Sequence, residues 1–78
     1  MKELLEIIAK RLVDDPDAVT VTEKQAQKGI VLELRVAQED MGKVIGKQGR
    51  IAKAIRVVMR AAAIHNNAFF SVDILPQE

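Results

Sequence analysis

Two short apolar segments, IVLELRVA from Ile30 and FFSVDIL from Phe69, are separated by about thirty residues whose apolar positions recur at helical spacing. That order constrains the fold more than any other feature of the chain. Ile30, Leu32, Leu34 and Val36 alternate with Glu33 and Arg35, so the first segment reads as a strand with one buried face. The second segment reads as another strand, stopped shortly afterwards by Pro76. Two strands joined through a helical crossover normally lie parallel in one sheet, with a right-handed connection.

The segments on either side complete the architecture. AVTVTEKQ from Ala18 has four β-branched residues from Val19 to Thr22, with Val19 and Val21 on one face. Gln27-Lys28-Gly29 is turn material, so this strand and the next form a hairpin. Near the N-terminus, Leu4, Leu5, Ile8 and Leu12 fall at helical spacing among Glu3, Glu6, Lys10 and Arg11. That amphipathic helix is ended by Asp14-Asp15-Pro16-Asp17, because a proline disfavours a helical residue before it. Inside the crossover, Met41, Val44 and Ile45 mark a short helix interrupted at Gly46. Ile51, Ile55, Val58, Met59 and Ala62 mark the core stripe of a longer one, which ends near His65-Asn66-Asn67. The expected elements are a helix at about 2–14, strands at about 18–26, 30–37 and 69–75, and helices at about 40–46 and 50–65, all in one domain spanning 1–78. The expected fold class is α+β: two layers, a three-stranded mixed sheet with three helices on one face.

Composition excludes several functions. A chain of 78 residues buries only about 60–65% of its unfolded surface, which leaves little room for an enclosed active site. It has no cysteine, hence neither disulfides nor a thiolate metal site. No apolar run approaches a membrane span, and MKELLEIIAKRL carries glutamates where a secretory signal would not. A soluble, cytoplasmic protein is expected. His65 is the only histidine, and with two asparagines after it reads as the end of a helix rather than a general base. Asp14, Asp15 and Asp17 could attract a divalent cation, but a proline turn and a cap explain them more simply. A Walker A loop needs G-x-x-x-x-G-K-[ST] after a strand; here only three residues separate Gly42 from Gly46, Gln48 replaces Ser/Thr, and the preceding segment is helical. No enzymatic activity and no cofactor are expected.

Net charge is +1, but its distribution is uneven. From Met41 to His65 there are six bases (Lys43, Lys47, Arg50, Lys53, Arg56 and Arg60) and no acid, while the rest of the chain holds six bases against eleven acids. A basic segment on an acidic body is the footprint of a polyanion-binding surface. At its centre lies VIGKQGR, with Gly46 and Gly49 between two helical runs. A tight helix–turn–helix connection explains one glycine by its backbone freedom. Two glycines around Lys47 and Gln48 also suit a phosphate backbone laid across the turn, with the next helix's N-terminus and Arg50 beside it. At about 100° per residue, Arg50, Lys53, Arg56 and Arg60 share one side of that helix, opposite the apolar stripe.

Val44-Ile45-Gly46-Lys47-Gln48-Gly49 resembles the core of the KH-domain signature V-I-G-x-x-G-x-x-I, in which a GXXG loop joins two helices; the last apolar position falls on Ala52, with Ile51 beside it. KH domains clamp about four single-stranded nucleotides. The order helix–strand–strand–helix–helix–strand resembles the type II arrangement, and the resemblance covers nearly the whole chain. At this length it is similar to the small stand-alone bacterial KH proteins called KhpA. That resemblance implies an RNA-binding protein, an RNA chaperone paired with a larger KH-containing protein, KhpB, and a link to cell elongation and envelope synthesis. It also implies that Gly46, Lys47, Gln48 and Gly49, with Arg50, Lys43, Val44, Ile45 and Lys53, contact RNA.

Two other readings stand beside this one. After Arg56 the helix reads VVMRAAAIH, with Val57, Ala61 and Ile64 away from the core stripe, so this half suits a contact with a second copy or a paralogue. A single-stranded DNA ligand is the other, since no residue announces contact with a 2′-hydroxyl.

Overall fold

The computed structural model describes residues 2–27, 29–65 and 70–77. Helix α1 spans Lys2–Leu12, strands β1 and β2 span Thr20–Ala26 and Gly29–Val36, helices α2 and α3 span Met41–Ile45 and Arg50–His65, and strand β3 spans Phe70–Pro76. β1 runs antiparallel to β2, with Thr20 opposite Arg35 and Ala26 opposite Gly29. β3 runs parallel to β2, with Ile30 beside Phe70 and Val36 beside Pro76. The result is an α+β fold with a three-stranded mixed sheet, β2 at its centre, and three helices.

The core forms where the apolar faces meet. Leu32, Leu34 and Val36 of β2 are fully buried, as their alternation with Glu33 and Arg35 requires. Leu5 and Ala9 of α1, Val44 of α2, Ile55 and Met59 of α3, and Val72 of β3 close over them. β1 contributes only Val21, and its remaining residues are exposed.

Three details differ from the sequence reading. α1 stops at Leu12, and the first strand begins at Thr20, because Pro16–Ala18 forms a 3-10 turn held by Ala18 N to Asp15 O (3.2 Å) and Val19 N to Pro16 O (3.1 Å). Pro16 supplies the fixed φ that starts that turn. Pro76 does not lie beyond the last strand but is its final residue, paired with Val36. The next amide, Gln77 N, donates to Val36 O at 2.8 Å, so strand alternation turns the Pro76 nitrogen to the open edge, where a missing donor costs nothing. The buried stripe of α3 is Ala52, Ile55, Met59 and Ala63 rather than one including Val58, which is 46% exposed. The small side chains of Ala52 and Ala63 let the helix lie close on the sheet, and this rotates Val58 away from it. Expectations on Lys28, on Asn66-Asn67 and on a strand start at Phe69 lie outside the described residues.

Candidate nucleic-acid interface

α2 ends at Ile45 and α3 begins at Arg50, and the GKQG turn between them is built from left-handed backbone. Gly46 has φ +76°, Gln48 φ +57° and Gly49 φ +75°. The two glycines are constrained differently. A Cβ on Gly46 would stand 2.6 Å from Ile51 Cγ1 and 3.0 Å from Ile51 Cβ, so a side chain there is barred by contact as well as by φ. A Cβ on Gly49 would meet nothing within 4 Å, so only its φ and the approach of something from outside disfavour a side chain. The backbone hydrogen bonds of the turn use the amides of Gly46 (to Gly42 O, 2.9 Å), Gly49 (to Gly46 O, 3.2 Å) and Arg50 (to Lys47 O). The amides of Lys47 and Gln48 are not among these donors.

Lys47 and Gln48 are exposed on the turn, and Arg50, Lys53, Arg56 and Arg60 are exposed along α3. Arg56 Nε donates to Val72 O at 3.2 Å, which turns Arg56 toward β3, whereas Arg50 lies beside Leu4, Ile8 and Leu12 of α1. Ile45, Gly46, Gly49 and Ile51 are half-buried beside the turn, whereas Val44 is fully buried and serves the core.

Lys43 points elsewhere. Its Nζ bonds the Asp14 carboxylate and lies 3.5 Å from Asp40 Oδ1. The Asp14 hydrogen bond is the main reason its pKa is raised. Asp40 is the one buried ionised side chain among the described residues. Burial pushes its pKa up, but the backbone amides of Asp15 and Asp14 and the Lys43 ammonium outweigh this and hold it below the ordinary value. Asp15 N reaches Asp40 Oδ2 at 3.1 Å, so this carboxylate ties the segment after α1 to the start of α2. Sequence reasoning missed Asp40, because the backbone amides that hold it are 25 and 26 residues away and no local pattern marks them.

Val57 (61% exposed), Ile64 (74%) and Ala61 stand out in solvent, Ile64 at the edge of a cleft toward β3, while exposed Val58 lies on the other flank of α3, beside Leu4, Ile8 and Leu12 of α1. Among the described residues no group of three or more His, Cys, Asp or Glu is placed to hold a metal ion. Among them, too, no helix is long and apolar enough to cross a membrane.

Against known proteins, the family model "KhpA/KhpB, KH domain" matches residues 2–74. "RNA-binding protein KhpA" of Clostridium acetobutylicum is 63% identical over 75 residues, covering 96% of this chain and 100% of the relative. The protein of the same name from Clostridium perfringens is also 63% identical over 75 residues. That of Chlamydia pneumoniae is 45% identical over 78 residues, 100% of both chains. No solved structure matches the chain.

Proposed function

The chain belongs to the KhpA/KhpB KH-domain family, and on that premise we propose that it binds single-stranded RNA, clamping the backbone with Gly46-Lys47-Gln48-Gly49. The observation that carries this reading is the left-handed turn with two spare amides at the head of an acid-free cationic helix face. In it, the Lys47 and Gln48 amides and the Lys47 and Arg50 side chains take phosphate oxygens, and Lys53 continues the track. Ile45 and Ile51 offer aliphatic surface to the bases. Val44 acts from beneath, by holding α2 to the core, and Lys43 by bracing the turn's first helix against Asp14. The relatives are named as RNA-binding proteins, which supports RNA over DNA as the ligand. RNA-chaperone activity, work alongside a KhpB-like protein and a role in cell elongation and envelope synthesis belong to the same proposal, on the family's strength alone.

The test is binding of a short labelled single-stranded RNA by fluorescence anisotropy at two salt concentrations, with circular dichroism as the fold control. The Lys47→Asp/Gln48→Asp variant should stay folded and lose at least tenfold in affinity, with a flatter dependence on salt. If it binds as well as the parent protein, the turn is only a turn. The same titration with single-stranded DNA separates the two nucleic acids.

The exposed apolar side of α3 supports a second reading, in which Val57, Ala61 and Ile64 contact another copy or a paralogue. Ile64→Lys should leave the domain folded and lower its mass in light scattering. An unchanged mass, or a parent protein already monomeric at high concentration, rules out self-association through this face.

A further inference from the structure

Asp40 is buried, charged and outside the clamp. It ends the 3-10 turn Gln38–Asp40, which its amide closes on Ala37 O at 2.8 Å, and α2 follows directly. An aspartate in this place commonly caps its own helix. Here the side chain makes no cap hydrogen bond. Its Oδ2 accepts the Asp15 amide at 3.1 Å, and the Asp14 amide also donates to the carboxylate. Oδ1 lies 3.5 Å from Lys43 Nζ, one turn further along, and the same ammonium bonds the Asp14 side chain. Two amides and a carboxylate after α1 are thereby tied to the first turn of α2.

We infer that Asp40 is a positioning residue for RNA binding: with Asp14 and Lys43 it holds α2 at the angle that presents the GKQG turn to the phosphate backbone. The inference rests on the RNA reading above and extends it. Five residues make too short a helix to be stable alone, so tertiary contacts set where α2 points. Fully buried Val44, with Met41 and Ile45 partly buried, fixes its depth against the core. The Asp40 anchor, at its head, fixes its direction. Gly46 stands about 9 Å along the helix from Asp40, so a tilt of about 10° moves the turn by roughly 1.5 Å. A binding constellation has to be held within about 0.5 Å. Lys43 then acts through the two carboxylates and not as a phosphate contact. The two roles differ in sign. If Lys43 were an RNA contact restrained by Asp14, loss of the Asp14 charge would free it and tighten binding. If Asp14 holds the anchor, the same loss weakens binding.

The short labelled single-stranded RNA, titrated against the whole chain at several salt concentrations, gives the test. The Asp14 side chain is 80% exposed, so Asp14→Asn leaves the core intact. It should weaken binding about threefold and Lys43→Met about fivefold, with Lys43→Arg within about twofold of the parent protein. Asp40→Asn should weaken it about tenfold where circular dichroism shows that variant folded; if it does not fold, the exposed Asp14→Asn decides. The double variant Asp14→Asn/Lys43→Met should bind no more weakly than Lys43→Met, because the two side chains act as one unit. None of these should change the slope of log affinity against log salt, whereas loss of a phosphate contact lowers it by about 0.7. In the free protein, the amide NMR signals of Gly46 to Gly49 should shift in Asp14→Asn, although the substitution lies outside the turn. Tighter binding by Asp14→Asn, or a slope lowered by about 0.7 in Lys43→Met, makes Lys43 a direct contact and overturns the inference. Parent-like affinity and unmoved signals in the folded variants confine the anchor to stability and overturn it too, while the clamp survives if Lys47→Asp/Gln48→Asp still loses affinity. No binding by the parent protein sinks the RNA reading, and the inference with it.

Discussion

At the scale of single residues, Gly46 and Gly49 separate two demands that a sequence motif merges. Both sit at positive φ, and Gly46, with ψ 176°, lies in an extended positive-φ region that is essentially reserved for glycine, where a Cβ costs about 1–3 kcal/mol. Only Gly46 also faces its own chain, with Ile51 2.6 Å from where a Cβ would stand. Gly46→Ala should therefore destabilise the domain by more than Gly49→Ala, the latter by about 1 kcal/mol, in urea unfolding. Equal losses would mean that Ile51 moves aside freely. Gly49→Ala should instead be the more informative variant for RNA, since its Cβ points into open space. Gln48 adopts a left-handed φ without being glycine, a local strain at the centre of the turn.

At the scale of elements, α3 is a helix with three faces and a different neighbour on each. Ala52, Ile55, Met59 and Ala63 are buried, Arg56 and Arg60 lie toward β3, and Val57, Ala61 and Ile64 stand in solvent. Truncations on these faces should not cost alike. Met59→Ala removes a side chain that is 1% exposed and should destabilise by about 2–4 kcal/mol. Val58→Ala, at 46% exposure, should change stability by well under 1 kcal/mol, because alanine's better helix propensity offsets the small burial lost. Chemical denaturation of the two variants side by side checks this. Comparable losses would place Val58 in the core and rotate the helix back to the register its apolar residues suggest.

At the scale of the whole molecule, the segment between α1 and β1 and the start of α2 are held together by one buried carboxylate. Asp40 accepts from the Asp15 amide and sits by Lys43, which also bonds Asp14. Its carboxyl is held below the ordinary aspartate range in the folded state. The folded protein thus binds that proton less tightly than the unfolded chain does. The stabilisation it brings is complete above the unfolded pKa of about 3.9 and is lost as pH falls through the folded value. Asp40→Asn should lower the thermal midpoint at pH 7 and flatten the fall in stability between about pH 5 and 2. An acid limb identical to the parent's would show that other carboxylates govern it.

Much of this protein follows from local pattern. The alternation in IVLELRVA marks which residues of β2 are buried, and a helical crossover between two strands leads to a parallel pair beside an antiparallel one. GKQG between two helical runs marks the turn at which the cationic helix begins. These are periodic or short-range signals, carried by residues within a few positions of one another. Tertiary structure alone decided the rest. The apolar residues of α3 span so wide an arc that their period fits more than one register, and close packing of Ala52 and Ala63 on the sheet chose the one that exposes Val58. Lys43 reads as part of the basic segment, yet Asp14, 29 residues earlier, claims it. Asp40 reads as a surface acid, yet packing buries it against backbone amides from the far side of the first hairpin. Arg56 becomes a bridge to β3 only once the sheet edge lies beneath it. Each of these outcomes depends on which surfaces meet, and spacing along the chain carries no record of that.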